Sequence, residues 1–166
     1  APTPRHGNDL ADRKRDRVRD AMRNAGIAGL VLCDNGRTRY LAGYQRYYSA
    51  TQLAPAHAVV LTLDQGPILM VPRHVVPATE DCAAESVIEY PLSQADKVAA
   101  LAELLLGLGL ADDCLGIEFE FMPYGFARAL GERLPKVRLV DASPVMRGVT
   151  GIKFPEEITI LREAAH

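Results

Sequence analysis

Residues 57–72 read HAVVLTLDQGPILMVP, two apolar runs on either side of Asp64, Gln65 and Gly66. Aliphatic runs of strand length flanking a short turn that contains Gly predict a β-hairpin, with strands over 57–63 and 67–72. Working outward, residues 29–34 (GLVLCD) form a short apolar run without alternation, the mark of a strand covered on both faces. Residues 86–90, 115–119 and 137–140 read as further strands. Between them, 94–108 places Val98, Leu101, Leu104, Leu105 and Leu108 on one helical face closed by Gly109, and 123–133 is a helix opened by Pro123. An amphipathic helix over 8–25 comes first, with Asn8 or Asp9 as its cap and Gly26 as its stop. A short helix is expected within 73–84, and a last one over 155–165, where Pro155, Glu156 and Glu157 suit a first turn. Asn35-Gly36 reads as a turn. The order is helix, strand, hairpin, strand, helix, strand, helix, strand, helix. A hairpin inside an otherwise alternating pattern predicts an α/β domain with a mixed β-sheet flanked by helices.

The totals suit one domain of this kind. The chain has 166 residues, 48% of them apolar and 24% charged. A formal charge of -2 gives neither a basic footprint for nucleic acid nor an acidic tail. No apolar run approaches the ~20 residues of a membrane helix, and residues 1–7 contain no signal-like apolar core. Cys33, Cys82 and Cys114 are few, odd in number and without CxxC spacing, so they are expected to be buried thiols of a cytoplasmic protein. Residues 1–8 are expected to be a flexible segment, 9–150 the α/β domain, and 151–166 the start of a linker helix.

Chemistry is sparse. His6, His57, His74 and His166 show no metal-ligand spacing, and Ser49 and Ser143 have no nucleophile-elbow context. Glu118 and Glu120 alternate with Phe119 and Phe121, which in a strand puts both acids on one face. Acid/base pairs look like this, and so do strand ends where polar side chains leave a core; with no His or phosphate loop nearby, the structural reading is preferred. No catalytic residue and no metal ligand is assigned. The Arg- and Asp-rich face over 12–23 reads as a solvated helix surface. One segment stands apart: Tyr40, Tyr44, Tyr47 and Tyr48, four of the six tyrosines, lie beside Arg39 and Arg46. Tyrosine joins contact area to a hydroxyl with few rotatable bonds, so the cluster suits a surface that meets a ligand or partner. The competing reading divides it between core and ordinary surface, with Tyr40 assigned to the core.

Two segments carry a family pattern. The first runs from Arg17 through Met22, Gly26-Ile27 and Leu30-Val31-Leu32 to Asn35 and Arg39-Tyr40-Leu41-Ala42-Gly43-Tyr44. The second runs Leu139-Val140-Asp141-Ala142-Ser143-Pro144, then Ile152-Lys153 with Pro155-Glu156-Glu157-Ile158, then Leu161-Arg162 with Ala164-Ala165. Together they resemble the N-terminal domain of the creatinase/prolidase (Xaa-Pro peptidase) family. Two departures stand out: Thr150 occupies a position where the family commonly has Arg, and Phe154 one where a small Ser is common.

The resemblance implies a ribonuclease-H-like α/β domain followed by a pita-bread catalytic domain. That second domain would hold two divalent metal ions (Mn, Co or Zn) on Asp, His and Glu ligands lying beyond His166. It implies a homodimer in which the N-terminal domain of one subunit borders the active site of the other. On that expectation Tyr44, Arg46, Tyr47 and Tyr48 are candidates for substrate-rim or dimer contact. The expected partners are the chain's own catalytic domain, a second copy and a peptide substrate, with no nucleic acid and no membrane. The resemblance leaves open Xaa-Pro hydrolysis, creatinase-like amidine cleavage, or a binding module of the same fold; a self-contained enzyme using Glu118, Glu120 and His74 is the remaining reading.

Overall fold

The structure is a computed structural model that describes residues 9–44, 57–91 and 93–165. Six strands form one sheet in the order β4-β3-β2-β1-β5-β6. They are β1 (Gly29–Leu32), β2 (Ala58–Thr62), β3 (Ile68–Pro72), β4 (Ser86–Tyr90), β5 (Cys114–Ile117) and β6 (Arg138–Asp141). Strand β2 runs antiparallel to both neighbours, and the remaining pairs are parallel. The predicted mixed sheet is therefore present, with the hairpin in register Ala58↔Met70 and Val60↔Ile68. Its turn needs glycine at Gly66: φ is +88°, and a Cβ there would lie 2.8 Å from the Val60 carbonyl oxygen.

The helices cover both faces. Residues Val31, Cys33, Val60, Met70, Leu115 and Ile117 point to one face, covered by α3 (Gln94–Gly107) and α4 (Tyr124–Arg133) through Leu101, Leu105, Phe126 and Leu130. Leu30, Leu32, Val59 and Leu61 point to the other, where Val18 and Met22 of α1 (Asp9–Ala25), Leu41 of α2 (Asn35–Ala42) and Met146 of α5 (Ser143–Gly151) meet them. The period-two alternation of side chains makes every residue of β1 buried, which is why its sequence shows no polar face. A 3-10 helix at Arg73–Thr79 follows β3, and α6 (Pro155–Ala164) closes the chain. Among the described residues no helix is long and apolar enough to cross a membrane.

Three local expectations are corrected. Asn35-Gly36 is not a turn between strands but the first turn of α2. The Asp34 carboxylate accepts from the Gly36 and Arg37 amides, and Gly43 ends the helix at φ +69°. Helix α5 was not foreseen; just ahead of its short Ser-Pro-Val-Met-Arg-Gly run the Asp141 carboxylate accepts from the Ser143 amide at 2.9 Å and its hydroxyl at 2.6 Å. The strand expected over 115–119 stops at Ile117, because the Glu118 carbonyl turns to accept from the Phe121 and Met122 amides. Glu118 and Glu120 thus share no strand face. The expectations for 1–8 and for Arg46, Tyr47 and Tyr48 lie outside the described residues.

Candidate functional site

Strands β1 and β5 are parallel neighbours whose chains leave in opposite directions. After β1 the chain enters α2 on one face and proceeds towards β2; after β5 it enters α4 on the other and proceeds to β6. The carboxyl ends of the two strands therefore form a topological switch point, the place where open α/β sheets gather polar groups. Here Cys33 and Asp34 follow β1, Glu118 follows β5, His57 precedes the antiparallel β2, and Lys97 reaches in from α3.

Glu118 is 1% exposed. Its Oε1 accepts from Arg37 Nε at 2.9 Å, whereas Oε2 is buried without a hydrogen-bond partner among the described residues. Burial raises the pKa of this carboxyl, and the nearby guanidinium only partly offsets the effect. Arg37 also donates from its NH1 to Thr150 Oγ1 at 2.8 Å. A guanidinium thus reaches position 150, where Thr stands, from helix α2. Lys97 is also 1% exposed. Its ammonium nitrogen donates to the His57 carbonyl at 3.1 Å, lies 3.9 Å from Cys33 Sγ and sits 4.8 Å from the Phe126 ring centroid. Burial lowers its pKa and raises that of the Cys33 thiol. Thr38 Oγ1 lies 3.4 Å from His57 Nε2, and the Tyr44 ring stands edge-on to His57 with centroids 5.5 Å apart.

Tyr44, the described member of the tyrosine candidates, is 4% exposed and packs with Leu69, Val71 and Cys82. Glu120 lies at the surface in an ion pair with Arg147, and His74 is exposed on the 3-10 helix. Glu118, Glu120 and His74 are not brought together. Among the described residues no three His, Cys, Asp or Glu side chains converge as a metal ion would require, so the residues present do not fit one. The strand-end cluster sets the buried Cys33 thiol against the buried Lys97 amine, with the Glu118 carboxylate tethered to Arg37. Its most unusual member, Lys97, was overlooked in the sequence. The signal was there: Lys97 lies one turn before Leu101, on the same stripe as Val98 and Leu105.

A second arrangement lies where α6 meets α1. Lys14 Nζ is 2.9 Å from Glu157 Oε1, and Arg13 NH2 is 2.5 Å from Glu156 Oε1. Phe154 lies under two guanidinium groups, Arg17 at 3.5 Å and Arg13 at 5.1 Å from its centroid. Arg17 also donates to the Ile152 carbonyl at 2.6 Å. The Phe154 amide donates to the Glu157 carboxylate at 2.9 Å, the half of a capping box that a Phe can make. Burial alone would raise the Glu157 pKa, but this amide and Lys14 together hold it below the ordinary value. Beyond its base α6 contacts little: no residue of it is buried, and Ile158, Ile160 and Leu161 are exposed.

The fold and site define a mixed α/β domain with a buried polar cluster at its strand ends and a terminal helix whose apolar residues are uncovered. Residues 14–149 match the model of the Creatinase/Prolidase N-terminal domain, and the chain belongs to that family. Creatinase from Bacillus sp. (strain B-0618) is 24% identical over 170 residues, which take in 98% of this chain and 38% of the relative. The Xaa-Pro dipeptidase from Bacillus anthracis has the same fold at a TM-score of 0.75 and 22% identity, over 92% of this chain and 39% of that one. The N-terminal domain of an X-Pro dipeptidase from Streptococcus pyogenes matches at a TM-score of 0.64 and 18% identity, over 82% of this chain and 98% of that domain. This chain therefore spans well under half the length of the whole proteins it resembles.

Proposed function

We propose that this chain is the non-catalytic N-terminal domain of a metal-dependent Xaa-Pro dipeptidase or aminopeptidase-like hydrolase of the cytoplasm. The observation that carries the reading is the family match over residues 14–149, in a chain that spans 38% of a creatinase and 39% of an Xaa-Pro dipeptidase. The uncovered Ile158, Ile160 and Leu161 of α6 suit a helix that continues against a second domain. In this reading the two divalent ions sit in that catalytic domain, where they would activate water and polarise the scissile carbonyl. The present chain contributes to the homodimer and to the rim of the partner's active site, with Arg46, Tyr47 and Tyr48 as the contact residues and Tyr44, buried in the core, as the anchor that precedes them.

The match to creatinase favours one alternative, a creatinase-like amidinohydrolase with the same N-terminal domain. Native protein captured with an antibody to this domain and supplied with Ala-Pro dipeptide or creatine separates the two. Release of proline, lost with a chelator, is the expected result; urea from creatine would establish the alternative. Absence of both activities would turn the reading to a binding module of the same fold.

A further inference from the structure

Helix α2 is tied at two points to the segment that orients α6. At its first turn Arg37 bridges the buried Glu118 at 2.9 Å and Thr150 at 2.8 Å. Thr150 in turn donates to the Met146 carbonyl at 2.7 Å, in the last turn of α5, four residues before α6 is capped. One turn further along, the Tyr40 ring lies 4.7 Å from Lys14 Nζ, whose other partner is Glu157 of α6 at 2.9 Å. Both side chains of that ion pair are largely shielded from solvent, so it is screened less than an exposed pair. The Tyr40 hydroxyl is buried without a hydrogen-bond partner among the described residues, which leaves Lys14 and packing to fix the ring. The other end of α2 is equally constrained. The Ala83 amide donates to the Ala42 carbonyl at 2.8 Å, Gly43 closes the helix, and Tyr44 follows directly into its seat against His57.

We infer that Arg37 and Lys14 are positioning residues: through α2 they set the seat of Tyr44 and the orientation of α6 together. Eight residues of capped helix joining two fixed ends leave little room for one to shift without the other. The coupling belongs to this chain's own residues. Its use in placing a rim against a catalytic centre rests on the proposed function.

The test uses the 166-residue chain labelled with 3-fluorotyrosine, which reports all six tyrosines by fluorine NMR. Glu157→Gln and, separately, Thr150→Val each loosen one tie, and amide exchange in α6 is expected to quicken about 5- to 30-fold. In both variants the Tyr44 resonance moves, while Tyr90 at the end of β4 and the exposed Tyr124 stay in place as internal controls. Lys14→Arg, which keeps a cation both for Glu157 and over the Tyr40 ring, leaves Tyr44 in its original position. Faster α6 exchange with Tyr44 unmoved would overturn the inference, as would unchanged α6 exchange in both variants. Neither result bears on whether the parent protein hydrolyses peptides.

Discussion

Replacing Arg37 with Met strands the Glu118 carboxylate in the core. The two groups are 2.9 Å apart, and Glu118 is 1% exposed. At an effective dielectric constant of about 20, unit charges this close attract by about 4–6 kcal/mol. Part of that attraction offsets the cost of desolvating both groups, and removing one partner of a buried pair typically costs about 3–5 kcal/mol. The pH dependence gives the effect a signature. Burial already raises the Glu118 pKa above its unfolded value, and loss of Arg37 raises it further. A carboxyl with a raised folded pKa contributes its full stability below the unfolded pKa of about 4.3 and loses it as pH rises through the folded value. The penalty of Arg37→Met, measured against the parent chain at each pH, is therefore largest near neutrality and shrinks towards acid. Urea titration followed by far-ultraviolet circular dichroism suits a chain with no Trp. Adding Glu118→Leu to Arg37→Met should recover most of the loss, since a buried pair replaced by apolar groups is often neutral or better. A penalty below about 1 kcal/mol at neutral pH, or one that does not change with pH, would refute the reasoning.

Other positions give independent checks. Lys97 has a lowered folded pKa, so the stability it allows is complete above the unfolded value of about 10.4 and falls as pH drops towards the folded value. Lys97→Met should abolish that alkaline rise in the urea midpoint; an unchanged rise would contradict the burial of the amine. At Gly116 a Cβ would meet Leu30 Cδ2 at 2.7 Å and the Ala142 Cβ at 3.1 Å, so Gly116→Ala should cost about 1–3 kcal/mol by overpacking. A neutral result in thermal unfolding would show that β5 can shift between its neighbours. Phe154→Ala removes the ring beneath Arg13 and Arg17, each contact being worth about 0.5–1 kcal/mol. Hydrogen exchange should then show α6 fraying while α3 is unaffected; equal exchange in α6 would deny Phe154 an anchoring role.

The sheet was legible in the sequence because its cues are local. The Asp64-Gln65-Gly66 turn, the unbroken apolar runs and the Leu stripe of α3 each declare an element without reference to the rest of the chain. Helix α5 was not legible, since its run is short and is interrupted by Pro144, Gly148 and Gly151, and no side chain caps its start. Helix α2 was hidden because Asn35-Gly36 is strong turn chemistry until Asp34 is seen to hold the Gly36 and Arg37 amides. The acids at 118 and 120 misled because a carbonyl turn, not a side-chain preference, ends β5. Partnerships such as Arg37 with Thr150, 113 residues apart, leave no periodic trace at all.

On the proposed function, this domain is one part of a longer hydrolase. The direct measurement is the mass of the native protein captured from its source cells by an antibody to this domain, with peptide mapping by mass spectrometry. The expected result is a polypeptide much heavier than 18.1 kDa, with peptides that continue beyond His166 into Asp, His and Glu ligand motifs. A native protein of 18.1 kDa that ends at His166 would contradict it.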